Sequence, residues 1–167
     1  MSNHKVAILM GSASDIPVME AAGDVLNELQ VGWRMAVRSA HRTPEETVSY
    51  VRKAEADGVQ VLICGAGMAA HLAGVVAAES LLPVIGVPIN ASMDGLDALL
   101  ATVQMPPGIP VGTVAVGRAG AKNAAWLAVR ILALGDKDVA DRLAKAKTAQ
   151  REKVLASDAE LQAKLNG

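Results

Sequence analysis

Short apolar runs alternate along this chain with longer stretches of helical period, and that alternation sets out the expected elements. Val6–Met10 is five apolar residues in a row stopped by Gly11, the pattern of a strand buried on both faces. Asp15–Gln30 has a helical period instead: Met19, Ala22, Val25, Leu26 and Leu29 share one face, and Pro17 suits the first turn. Trp33–Val37 predicts a second strand. Thr43-Pro44-Glu45-Glu46 then has the form of a helix start, with an N-cap residue, proline and acids near the positive dipole end; this helix runs to about Asp57-Gly58. The unit repeats as strand Val59–Cys64, a glycine-rich loop, helix Ala69–Ser80 and strand Val84–Val87. A looser helix over Leu96–Val103, a proline-rich turn at Met105–Pro110, a fifth strand Thr113–Val116 and an Ala-rich helix Ala121–Leu134 follow.

Short strands separated by helical patterns imply βαβ units, and therefore an α/β fold of three layers, αβα, around a five-stranded, mostly parallel sheet. Residues 1–135 form the α/β catalytic domain of this reading. Residues 136–167 are a C-terminal helical extension of the same domain: Asp136–Leu165 is charged and helix-forming, with a break expected at Ser157-Asp158, where a second N-cap fits. With no strand left to cover, the extension is either an arm reaching a neighbouring subunit or a solvated tail. In sheets of this kind ligands bind beyond the carboxyl ends of the strands, near a topological switch point.

Composition changes this picture in one respect. Of the 167 residues 51% are hydrophobic and mean hydropathy is +0.30, yet there is no Phe, one Tyr and two Trp. A domain of this size leaves roughly a third of its unfolded-chain surface exposed, so this much Ala, Val, Leu and Ile predicts a homo-oligomer with apolar interfaces. The net charge of −1, with both signs interspersed, argues against a nucleic-acid partner. No stretch approaches the ~18 apolar residues of a membrane span, and Val6–Met10 is too short for a signal segment. A single cysteine, Cys64, fits a reducing compartment, so the chain reads as soluble and cytoplasmic.

The residues able to do chemistry follow the first three strands. Gly11-Ser12-Ala13-Ser14-Asp15 joins a tight turn to a helix N-terminus, an anion site to which two hydroxyls add donors. Asp15 caps that helix or accepts hydrogen bonds from sugar hydroxyls. Ser39-Ala40-His41-Arg42-Thr43-Pro44 brings a hydroxyl, an imidazole, a guanidinium and a second helix start within six residues. Arginine's planar fork suits phosphate or carboxylate, and histidine's ordinary pKa suits proton transfer in both directions near neutrality. Gly65-Ala66-Gly67-Met68-Ala69-Ala70-His71 superficially matches a dinucleotide fingerprint, but no acid follows the next strand to hold a ribose. Its glycines suit a substrate pressed against the loop, and His71 is either a packed structural residue or a substrate contact. Cys64, without a partner to lower its pKa, reads as core. His4, His41 and His71 lack metal-ligand spacing, and no serine-hydrolase or P-loop signature is present.

From about Val6 to Leu134 the chain resembles the bacterial N5-carboxyaminoimidazole ribonucleotide mutases of purine biosynthesis. The resemblance rests on Met10–Asp15, Ser39–Pro44, Gly65–Leu72 and the block Gln104–Thr113 continuing to Asn123-Ala124-Ala125, four blocks in the right order. It implies a flavodoxin-like or Rossmann-like sheet, no cofactor, an octamer, and transfer of a carboxylate from the exocyclic nitrogen of an aminoimidazole ribonucleotide to ring carbon C4. It also implies His41 as general acid and base, with Ser12, Asp15 and Arg42 on the ribose phosphate portion. Ser39 and the loop Gly65, Ala66, Gly67 would line the pocket, with His71 beside them. The family usually has glycine where Met68 stands and proline where Ala73 stands. The related enzymes that carboxylate aminoimidazole ribonucleotide directly with CO2 have Ser-Asn in place of Gly67-Met68 and commonly Lys in place of Arg42, so the sequence sides with the mutases. A non-catalytic nucleotide-binding module is the remaining alternative.

Overall fold

Two apolar faces on each central strand dictate the architecture. In the computed structural model, which describes residues 4–166, β1 (Val6–Met10) is wholly buried. Val6, Ile8 and Met10 point into one hydrophobic cluster, while Ala7 and Leu9 point into another. The chain continues through a 3-10 turn at Ala13–Asp15, α1 (Ile16–Glu28), β2 (Trp33–Val37), α2 (Pro44–Ala56), β3 (Val61–Gly67), α3 (Leu72–Glu79) and β4 (Val84–Ile89). A second 3-10 turn at Met93–Gly95, α4 (Leu96–Val103), β5 (Gly112–Thr113), α5 (Gly117–Ala133) and α6 (Lys137–Leu165) complete it.

The five strands are all parallel, in the order β2-β1-β3-β4-β5, which is the flavodoxin-like arrangement. Residues of α1 and α5 pack on one face of the sheet, those of α2 and α3 on the other. The order reverses between β1 and β3, where the chain winds outward in opposite directions, and a crevice opens there at the carboxyl ends of the strands.

Several sequence expectations shift, among them the start of α5, which lies at Gly117 rather than Ala121. The segment Gly65–Gly67, expected as a loop, is the end of β3 and pairs with Val87–Ile89. Glycine suits this position because the Met19 sulfur occupies the space where a Gly65 Cβ would stand. α3 begins three residues later than expected because Met68 and Ala70 have φ of +56° and +36°, incompatible with a right-handed helix. The fifth strand is Gly112–Thr113 rather than Thr113–Val116; after Val114 donates to the Gly86 carbonyl at 3.1 Å the chain turns into α5 at Gly117 (φ +74°). α6 runs unbroken through Ser157-Asp158, because Ser157 Oγ donates back to the Lys153 carbonyl at 3.0 Å. From residue 147 to 166 the helix and its cap are exposed, while Val139, Leu143 and Ala146 pack on the core.

Candidate active site

Three loops at neighbouring strand ends build one cavity of about 530 Å³. After β1, Ser12 and Asp15 lock each other in a reciprocal cap: Ser12 N–H donates to Asp15 Oδ2 at 3.1 Å, and Ser12 Oγ accepts from Ser14 N–H at 3.3 Å. Asp15 thus makes no capping bond to α1; its carboxylate closes the 3-10 turn that precedes that helix instead. Burial pushes its carboxyl above the usual range, and the Ser12 N–H, the Ser14 hydroxyl and the Arg42 charge oppose that rise.

After β2, the loop is folded by its own side chains. Thr43 precedes α2 without capping it; its hydroxyl instead accepts from Ser39 N–H at 2.9 Å and donates to the Ser39 carbonyl at 3.1 Å. Ser39 Oγ accepts from the Arg42 N–H at 3.2 Å, and Arg42 Nη2 reaches across to the Gly11 carbonyl at 2.9 Å. The guanidinium thus bridges the first two loops, with Nε donating to Ser39 Oγ at 3.4 Å, and Nη1 remains to receive an anion. Of the residues lining the cavity, Arg42 is the only Arg or Lys and Asp15 the only carboxylate.

The third loop supplies a contact that sequence reasoning did not foresee. His41 Nε2 and His71 Nδ1 lie 2.8 Å apart, with the rings edge to face at 4.9 Å between centroids. Only one of two nitrogens in such a contact can carry the hydrogen, so one ring donates and the other accepts. His71 sits immediately before α3 and makes no capping bond, which leaves its ring to the partner.

Of the residues singled out from sequence, Ser12, Asp15, Ser39, His41, Arg42, Ala66, Gly67 and His71 share this cavity. Gly65 does not line it; it lies behind, in β3 against Met19. Ala91 is a lining residue that the sequence motifs do not include, and Met68, the departure from the family's usual glycine, lines the cavity as well. The signal for Ala91 is its place just past β4, at the same end of the sheet. Cys64 is fully buried in β3, and burial holds its thiol well above the ordinary range, consistent with a core residue. Among the described residues no group of three or more His, Cys, Asp or Glu gathers to hold a metal, and no helix is long and apolar enough to cross a membrane.

Residues 5–153 match the AIR carboxylase family. An N5-carboxyaminoimidazole ribonucleotide mutase of Escherichia coli K12 is 51% identical over 152 residues, 90% of each chain. One from Pyrococcus abyssi is 54% identical over 142 residues, 84% of this chain and 80% of that one. Among solved structures, Treponema denticola PurE superposes with a TM-score of 0.85 at 33% identity, over 93% of this chain and 97% of that one.

Proposed function

The chain belongs to the AIR carboxylase family, and from that premise we propose that it is an N5-carboxyaminoimidazole ribonucleotide mutase. It moves the carboxylate from the exocyclic nitrogen to ring carbon C4 of the ribonucleotide, the activity in the names of relatives about half identical over nine-tenths of the chain. The observation that carries the reading is the meeting of His41, Arg42, Ser12 and Asp15 in one cavity at the switch point of the sheet.

Arg42 and the Ser12 hydroxyl bind the phosphate, and Asp15 accepts from the ribose hydroxyls. Ser39 fixes Arg42, and Ala66 and Gly67 present backbone to the imidazole ring. His41, as imidazolium, donates its Nε2 hydrogen to His71 Nδ1 and offers its Nδ1 hydrogen to the substrate. As the carbamate N–C bond breaks, its electron pair stays on nitrogen and takes that proton, and CO2 departs into the cavity. The ring's electrons at C4 attack the CO2 carbon, and neutral His41 Nδ1 removes the C4 proton. The proton given in the first step returns in the last, so one histidine suffices without net proton exchange. His71 keeps the ring oriented throughout, the part played by the acid of a catalytic triad.

The active form is a homo-oligomer, an octamer as the resemblance implies, working in the cytoplasm. Support for assembly comes from exposed Leu81, Leu134, Val154 and Leu161, and from an apolar cleft of about 560 Å³ beside Pro83, Ile109 and Ile131. The test of function is an isomerisation assay with purified protein and the N5-carboxylated substrate. Conversion to the C4-carboxylated product is expected. Turnover of aminoimidazole ribonucleotide plus bicarbonate, without turnover of the N5-carboxylated compound, would refute the mutase in favour of a direct carboxylase.

A further inference from the structure

A carboxyl group carried as free CO2 needs a cover, because CO2 is small, neutral and weakly held by the polar groups that bind the rest of the substrate. The cavity lining is mostly small or polar: serines, alanines, glycines, the two histidines, Arg42 and Asp15. Only Met68 and Leu72 bring large apolar side chains to it. Leu72 is 2% exposed and fixed in the core, whereas Met68 is 62% exposed. Met68 is therefore the one large apolar side chain at the cavity that is exposed.

Its backbone explains how it comes to stand there. β3 ends at Gly67, where an added Cβ would meet Ala91 Cβ at 2.9 Å and the Ile89 carbonyl at 3.1 Å, so the base of the turn is held against β4 and the segment after it. The chain then turns, with Ala70 N–H donating to the Gly67 carbonyl at 3.0 Å, and Met68 takes φ +56°. Left-handed backbone is unfavourable for a residue with a Cβ, and glycine would adopt it without that strain. A strained residue beside a cavity is the kind of feature that persists for a use. The side chain has the properties of a cover: apolar, unbranched and flexible enough to fold over a bound ring.

We propose that Met68 closes over the aminoimidazole ring and retains the CO2 released from the exocyclic nitrogen until C4 captures it; this rests on the mutase reading above. Escape would leave aminoimidazole ribonucleotide behind: the N–C bond breaks, nitrogen keeps the pair and takes the His41 proton, and CO2 is lost to solvent. The leak is then visible as aminoimidazole ribonucleotide formed per product, and as label entering product from 13C-bicarbonate in the medium.

Wild type, Met68→Leu, Met68→Ala and Met68→Gly are compared, each with a thermal melt. Wild type and Met68→Leu should leak little. Met68→Ala and Met68→Gly should leak about fivefold more, the change expected when roughly 40 Å² of apolar cover is lost. Met68→Gly should also melt about 2–4 °C higher, since it relieves the left-handed strain that Met68→Ala retains. Higher stability with poorer retention is a combination that a purely structural methionine would not give. If wild type isomerises and both truncated variants retain CO2 as well as it does, Met68 is not the cover. A wild type that does not isomerise overturns the mutase reading and this inference with it.

Discussion

Exchanging histidine for asparagine separates a proton carrier from the residue that aims it. Asparagine places its Oδ1 close to where histidine has Nδ1, so it can accept a hydrogen bond there, but it cannot pick up and return a proton. At position 71 the required group is an acceptor for His41 Nε2–H, 2.8 Å away. His71→Asn should therefore stay within a few-fold of wild type, while His71→Phe, which fills the space without an acceptor, should lose the bond to the imidazolium. A hydrogen bond to a charged group contributes about 1.5–3 kcal/mol, so kcat should fall by about 10- to 150-fold. At position 41 the proton itself is at stake, and general acid–base catalysis contributes typically ~10²–10⁴-fold. His41→Asn should fall by that amount with ligand affinity little changed. The double variant His41→Asn/His71→Phe should be scarcely worse than His41→Asn, because an orienting partner has no effect once the carrier is gone. The measurement is the initial rate of isomerisation under saturating substrate. If asparagine is tolerated at 41, or is as damaging at 71 as at 41, the division of labour is wrong.

Arg42→Ala should raise KM for the ribonucleotide by about 10- to 150-fold through loss of a charged hydrogen bond, and an unchanged KM would remove Arg42 from the phosphate. Asp15→Asn keeps an acceptor for Ser12 N–H but not the charge, and should lower kcat/KM. Because burial raises the folded pKa of Asp15 above its usual 3.8, its contribution to stability is present below that value and lost as pH rises through the folded pKa. Thermal melts of Asp15→Asn at pH 7 should accordingly be no lower than wild type, and a large drop would overturn that account. Sedimentation should return an oligomer; a stable monomer would defeat the argument from excess apolar surface.

Much of this fold was legible because its signals are local. An uninterrupted apolar run marked β1, since a strand covered on both faces has no polar side to display. Signals failed where the deciding interaction lay elsewhere in the chain. Gly65–Gly67 carries no apolar signature, and its pairing with Val87–Ile89 depends on a strand some twenty residues away. Ser157 looked like a stop because serine caps helices, yet a hydroxyl on an exposed face can also bond back to its own helix. Methionine itself does not favour the left-handed backbone of Met68, and the sign of it in the sequence is the glycine usual at that position in the family.

The site divides in the same way, and topology supplies the missing half. Periodicity placed His41 after β2 and His71 at the start of α3, thirty residues apart, without saying that they meet. Strand order sets the distance to be spanned: β2 and β3 flank β1, and adjacent strands lie about 4.8 Å apart, so the loops following β2 and β3 start roughly 10 Å from each other with the β1 loop between them. Two imidazole side chains can span that distance from opposite sides, and the ring carried by the Ser39–Pro44 loop meets the one at the head of α3 above the end of β1. The Gly11–Asp15 turn leaves β1 between them, which brings the anion-binding loop under the same pair. A sheet ordered 1-2-3 would have set the β3 end one strand further from β1 and opened no switch point there, with all three sequence motifs unchanged. The chemistry is thus written in the loops, while their convergence on one substrate is a property of the β2-β1-β3 order.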